Sequence, residues 1–344
     1  MTPRARIALA VALIVLAALP FVPVEVPGLF EGALGSPGTL NLLGLCFVFG
    51  ALALTYDLVF GYAGLLSFGH ALYFANGVYV MAIALARWHW PLLAALAFTA
   101  LLSFVLPLVL GAICLRMRDI PFAMVTLAFA QAGSILVLQN PFGLTGGEEG
   151  LALGGDVLPA GLVGVANTRN VYWIALALLA VVAFIGWRAV NSPPGRVWQA
   201  IRENERRVGV LGLNPYLYKL GAFVLSAFLA SCTGVVYLLL QGGANPQVTT
   251  ADFTLALLVM VVLGGVGTLW GAILGGIVYE YLDFRLVALS NTHAVQSLPG
   301  LLRVPLSEPL FLLGVLFIVL VLFVPGGLGE ALRRRLPVPT RRAP

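Results

Sequence analysis

Hydrophobic residues arrive along this chain in long runs that do not alternate with polar ones. The runs lie near 7–23, 40–58, 70–86, 91–114, 120–138, 171–187, 217–240, 253–266, 270–289 and 306–324. About 20 apolar residues in a helix cross the hydrocarbon core of a bilayer, so each run predicts a membrane span. The stretch 253–289 reads either as one long broken helix or as two shorter ones. A membrane β-barrel would instead show alternating segments of about ten residues. The pattern therefore predicts an all-α integral membrane protein, a polytopic bundle of about nine or ten transmembrane helices.

One segment interrupts this background. Ser192 to Pro215 (SPPGRVWQAIRENERRVGVLGLNP) carries Arg196, Arg202, Glu203, Glu205, Arg206 and Arg207 between two apolar runs. Ser192 is a suitable helix cap, Pro193 and Pro194 suit a first turn, and Gly212 and Pro215 suit a helix end. A helix is expected over Gly195–Leu211, with Val197, Ile201, Val208 and Leu211 on one face and the charges mainly elsewhere. A lipid-binding helix would be uniformly basic on its polar side. Mixed signs suit a groove on a soluble partner better; a helix resting at the membrane interface is the plainer alternative.

Two glycine-rich interruptions occupy similar places in the two halves of the chain, a hint of an internal repeat. The first is Gly61 to His70 (GYAGLLSFGH) and the second Gly264 to Gly276 (GGVGTLWGAILGG). Paired interruptions of this kind point to a translocation pathway, because broken helices turn backbone groups and helix ends toward a polar ligand. Ser67 and His70 add polarity to the first that packing does not require. Gly267, Gly271 and Gly275 space the second as a seam for close helix approach, which is also its plainer reading.

Composition agrees with the pattern: 60% of the 344 residues are hydrophobic and 10% charged, with a mean hydropathy of +1.01. Soluble domains carry about a quarter charged residues. Counting ten crossings from a cytoplasmic N-terminus leaves Arg87, Arg169, Arg285 and Arg303 outside and every other Lys and Arg inside. That asymmetry places both termini, including the 330–344 tail, in the cytoplasm. The net charge of +5 is thus a topology signal with some attraction to anionic lipid. Its scatter over separate loops gives no nucleic-acid footprint. Arg4 and Arg6 before an apolar run resemble a signal peptide, and a retained anchor helix is the expectation because no cleavage site is evident. Cys46, Cys114 and Cys232 fall inside spans as lone thiols, which suggests core packing.

The whole chain is expected to be one transmembrane domain. Residues 139–170 form an outer loop, glycine-rich and acidic through Glu148, Glu149 and Asp156. No stretch is long enough for a soluble nucleotide-binding domain. The single lysine, Lys219, stands between Tyr218 and Leu220, so there is no phosphate-cradling G-x-x-x-x-G-K motif. His70, His89 and His293 are widely separated, and no nucleophile elbow or zinc-binding helix motif occurs. These absences speak against an enzyme, and neither a cofactor nor a metal is expected. Asp57, Glu280 and Asp283 are the acidic groups in or beside spans, a thin set for an ion-coupled transporter. Glu280 and Asp283 suggest an outer vestibule or a solvated helix end. Energy is then expected from another subunit.

The run GRVWQAIRENERRVGVLGLNPYLYKLGAFVLSAFLA resembles the cytoplasmic loop and following helix of the permeases of branched-chain amino-acid ATP-binding-cassette importers. Their G-R-x-x-x-A-I-R-E-N-E, L-G-I-N and Y-K signatures have counterparts here. The first glycine break is similar to their G-Y-x-G-x-x-S-x-G-H-A segment and the second to their G-G-x-G-T-x-x-G-x-x-x-G. Thr145 to Leu151 matches their T-G-G-x-x-G-L. Arg206-Arg207 and Ser231-Cys232-Thr233 depart from the usual pattern.

Of the family's two paired permeases, the M-type (LivM-like) is the nearer. The resemblance implies a heterodimer with a second permease, two cytoplasmic ATPases that bind the ATP, and a periplasmic solute-binding protein, all at a bacterial inner membrane. It assigns ATPase coupling to Arg196, Ile201, Arg202, Glu203, Asn204, Glu205 and Gly212. It assigns the pathway to Gly61, Gly64, Ser67, Gly69 and His70, with Gly264, Gly265, Gly267, Thr268 and Gly271. Permeases for urea and short-chain amides share these motifs, so a branched-chain amino acid and an amide both remain open as the solute.

Overall fold

The computed structural model describes residues 11, 14–22, 24, 32–155, 158–162, 167–290, 309–323 and 326–329. Nine of the ten apolar runs become one helix each. They are α1 (Pro37–Asp57), α2 (His70–Ala86), α3 (Leu92–Cys114), α4 (Asp119–Gln139), α5 (Thr168–Val190), α7 (Pro215–Gln241), α8 (Ala251–Gly264), α9 (Leu269–Ser290) and α10 (Pro309–Phe323). The polar segment is α6 (Pro193–Val210). The tenth run, 7–23, lies largely outside the described residues, as does the tail 330–344. Its described end is helical over 14–18, where Leu16 and Ala17 carbonyls accept from Tyr172 and Trp173 of α5.

Helix starts follow the local sequence. Ser36 accepts from the Thr39 N–H with Pro37 in the first turn of α1, and Asn214 accepts from Tyr216 ahead of α7. Each side chain satisfies a backbone donor that has no partner inside its helix.

Five described helices, α1 (extended to Tyr62), α3, α4, α5 and α7, are long and apolar enough to cross a membrane. Their burial separates centre from periphery. In α1 and α7, 89% and 72% of the apolar stretch is buried, against 22% in α3, 28% in α4 and 33% in α5. With no water to exclude, large apolar side chains are as well placed facing lipid as facing each other. The outward face of α3 accordingly carries Leu101, Phe104, Val105 and Val109. Around α1 stand α9, α5, α7 and α8, while α2 packs on α7 and α3.

The 253–289 stretch resolves into two helices. The chain turns at Gly265–Thr268, and α9 runs back along α8. The expected glycine seam makes this hairpin possible: Cβ atoms on Gly271 and Gly275 would collide with the carbonyls of Gly264 and Met260. Gly267 is not part of that seam but lies in the turn.

Between Gln139, which ends α4, and Thr168, which begins α5, the described residues form short turns, organised first by one side chain. Asn140 Oδ1 accepts from the N–H groups of Thr145 and Gly146 at 2.8 and 3.1 Å. Leu151–Ala152 (β1) then pairs antiparallel with Gly243–Ala244 (β2) after α7, a two-residue ladder the sequence pattern did not foretell.

Candidate functional site

Both glycine breaks and the polar helix meet at one end of the bundle. After α1 the chain makes a π-helical turn, Leu58–Tyr62, and then runs irregularly to Gly69. Irregular backbone inside a bilayer needs its polar groups satisfied by protein. Here Phe68 N–H donates to Thr126 Oγ1 of α4 (3.1 Å) and Ala71 N–H to Thr254 Oγ1 of α8 (3.2 Å). The Ser67 carbonyl accepts from Tyr56 Oη at 3.1 Å.

Ser67 and His70 are 0% and 2% exposed. His70 Nε2 lies 2.9 Å from Thr55 Oγ1 and its ring stands edge-on to Tyr56. In this conformation both side chains hold the first break together from inside. Gly69 is likewise pressed against the Thr126 backbone, its Cβ position lying 2.8 Å from that carbonyl oxygen.

The second break lies directly against the first. The Gly267 N–H donates to Asp57 Oδ1 at 2.7 Å, and the Leu269 N–H to Tyr62 Oη at 3.3 Å. Asp57 ends α1 and is fully buried. Asp57 of α1 and Tyr62 of the first break thus reach across the interface to the turn entering α9 and to its first residue, at the positive end of its dipole. Gly267 adopts φ +76°, which strains any side chain there, and a Cβ would also displace the Arg202 Nη1 that lies 2.9 Å from its position. Thr268 Oγ1 closes the turn onto the Gly265 carbonyl at 2.6 Å. Gly264, Gly265 and Gly271 are covered by Gly326, Gly327 and Gly329, a third glycine cluster that sequence reasoning passed over although the residues stand close together.

The polar helix departs from the single helix expected. Asn204 is extended (φ −161°, ψ 97°), and its Oδ1 accepts from Arg207 N–H at 3.0 Å. Asn204 therefore caps a second short helix, as Ser192 caps the first by accepting from Gly195. The buried face nonetheless continues across the break, and only its end departs from the expectation. Trp198, Ile201 and Val208 are buried, whereas Leu211, expected on that face, is 73% exposed and Val210 89%. Gly212, at φ +83°, ends the segment as its glycine suggested.

Among the coupling candidates the structure divides the roles. Arg196, Glu203 and Asn204 are exposed, and Glu205 is paired with Lys219 of α7 at 2.6 Å. Arg202 is exposed as a residue too, but its Nη1 donates to the Gly61 carbonyl and its stem covers Gly64. Trp198, which sequence reasoning did not select, anchors the helix by donating from Nε1 to the Tyr218 carbonyl at 2.9 Å. A cleft of about 570 Å³ opens beside this junction, lined by Gly64, Leu66, the α3–α4 connection from Met117 to Ile120, and Ile201 to Glu205. Glu280 and Asp283 lie half-buried on adjacent turns of α9. Among the described residues, no group of three His, Cys, Asp or Glu side chains is arranged to hold a metal ion.

An all-α polytopic membrane protein with two broken helices meeting at one amphipathic connector belongs to the class of membrane permeases. More particularly, the chain belongs to the family described as branched-chain amino acid transport system / permease component, which matches residues 38–324. It is therefore a transport component. Among its relatives is the high-affinity branched-chain amino acid transport system permease protein LivM of Escherichia coli (strain K12). It is 29% identical over 292 residues, 78% of this chain and 68% of the relative. A probable LivM of Methanocaldococcus jannaschii is 26% identical, over 68% of each chain. The corresponding LivH of Salmonella typhimurium is 27% identical over 76% of this chain and 90% of its own length. No solved structure matches the chain.

Proposed function

We propose that this chain is the M-type half of a permease pair in an ATP-binding-cassette importer of a bacterial inner membrane. Its solute is a branched-chain or related hydrophobic amino acid. The names of the bacterial relatives, which specify high-affinity branched-chain amino acid transport, support that solute class. Likeness to both LivM and LivH supports a pair of related permeases. The chain itself is non-catalytic and carries no cofactor; two ATPase subunits bind ATP, and a periplasmic solute-binding protein delivers the solute. It is one transmembrane domain with 139–170 in the periplasm and 192–215 and both termini in the cytoplasm.

One observation carries the mechanism: Arg202 of α6 holds the Gly61 carbonyl where the two glycine breaks touch. An ATPase that seats on the exposed side of α6, at Glu203, Val210 and Leu211, pulls on the breaks through Arg202. Movement of the breaks re-aims the short helices that border them. At 17 and 14 residues, α2 and α8 are about 25 and 21 Å long, short of a full crossing. The permease thereby alternates between outward and inward openings.

The deciding experiment is purification from the native membrane in mild detergent. Co-purification of two ATPases and a second permease is the expected result. A chain that emerges alone at every detergent strength overturns the reading. Glu203→Lys should then cut ATP-driven leucine uptake while leaving membrane insertion intact. Uptake of urea or a short amide in place of leucine would assign the amide-importer alternative.

A further inference from the structure

We propose that Asp57 is the positioning residue that carries movement of α6 to both glycine breaks, its Oδ2 being the second station for the Arg202 guanidinium. In the described conformation Arg202 holds the Gly61 carbonyl; as the breaks rearrange, it exchanges that carbonyl for the carboxylate. The proposal deepens the importer reading and rests on it for its transport readout.

The geometry is specific. Asp57 is a fully buried acid at the end of α1, and burying a carboxylate costs several kcal/mol unless its oxygens are matched. Only one of the two is matched. Oδ1 accepts from Gly267 N–H at 2.7 Å, while Oδ2 has no hydrogen-bond partner among the described residues.

A strong donor stands beside it. Arg202 Nη1 donates to Gly61, whose Cβ position would run into Asp57 Oδ1, and lies 2.9 Å from the Cβ position of Gly267. The absence of side chains on Gly61 and Gly267 leaves both the guanidinium and the carboxylate bordering the same two glycines. Arginine offers five N–H donors in a fork that matches a carboxylate edge-on. A neutral carbonyl is the weaker of the two acceptors, so its loss is offset by forming the charged pair. Arg202 and the Asp57 carboxylate are not an ion pair in this conformation, so a carbonyl and a carboxylate on either side of the Gly61–Gly267 contact would give the guanidinium two discrete stations, the kind of two-state element through which small displacements become discrete movements.

A purely local role, capping α9, is the competing explanation, and one substitution separates the two. Asp57→Asn keeps an oxygen for Gly267 N–H but removes the charge that draws Arg202. In the reconstituted importer, D57N should retain ATP hydrolysis while solute uptake falls about tenfold or more. R202Q should show the same uncoupling, and the double variant should be no worse than either single one. Multiplying losses, or wild-type uptake per ATP in D57N, would overturn the proposal. ATP-driven uptake by the wild-type complex separates this failure from failure of the importer reading.

A second measurement needs no partner. An arginine side chain has only donors, so Arg202 cannot bond the amide N–H groups of Gly267–Leu269 directly. In the isolated chain, hydrogen exchange at those amides should nevertheless rise in R202Q, and rise less when D57N is already present. Equal rises in both backgrounds, or none, would also overturn it.

Discussion

Lys219 Nζ lies 2.6 Å from Glu205 Oε2, joining the second segment of α6 to the first turns of α7. Their side chains are 12% and 31% exposed, so the pair is neither freely solvated nor sealed. It sits one residue beyond the break at Asn204, where it holds the displaced segment down. Half-exposed pairs of this kind contribute about 1 kcal/mol or less. Lys219→Met is therefore expected to lower thermal stability slightly but to reduce uptake more. The charge swap Lys219→Glu with Glu205→Lys should recover part of that loss, read as uptake in proteoliposomes.

Asn204 sets the direction of the exposed tip. Asn204→Ala removes a helix cap worth about 1 kcal/mol and favours a continuous helix. Val210 and Leu211 would then turn to another side. Uptake should fall with insertion unchanged, whereas Asn204→Asp, which can still cap, should remain close to wild type.

Gly267→Ala places a Cβ where φ is +76°, at about 1–2 kcal/mol of strain, and against Arg202. Loss of uptake with retained insertion is expected. Gly209→Ala is the control: nothing lies within 4 Å of its Cβ position, and alanine is the better helix former by about 1 kcal/mol. Uptake by that variant should be near normal. Equal damage from both would show that helix glycines matter here only in general.

The crossing of α2 and α7 depends on close approach as well as on the buried hydrogen bond from Ser231 Oγ to the Tyr73 carbonyl (2.6 Å). A Cβ on Gly234 would press into the Phe74 carbonyl and come within 3.1 Å of Val78 N. Gly234→Ala should cost about 1–3 kcal/mol through overpacking, seen as a lower unfolding temperature in detergent. Gly221→Ala, with open space around it, should not move that temperature.

The exposed apolar tip has its own test. Val210 and Leu211 are 89% and 73% exposed. A double change to aspartate should abolish co-purification of an ATPase while leaving the bundle folded, as judged by its unfolding temperature. Unchanged co-purification would move the docking surface elsewhere.

The linear sequence determined the span pattern, because a bilayer demands about 20 consecutive apolar residues and such a requirement is written locally. Nine runs became nine helices for that reason. Ser192, Gly212 and Pro215 marked the ends of the polar segment, since caps and turns depend on neighbours within a few residues. The glycine breaks were also legible, as were the family signatures that run through them. Arg202 was picked out, but as a docking residue, and the break at Asn204 was not foreseen. A helical period assumes that the helix continues, but α6 ends at Val210, so Leu211 was expected on the buried face and is exposed. Only the tertiary structure brought Asp57 to Gly267, 210 residues away along the chain, and both to Arg202. Those contacts depend on how α1, α6 and the α8–α9 turn converge. No local pattern encodes that convergence, because the residues that make it possible are glycines whose only message is space.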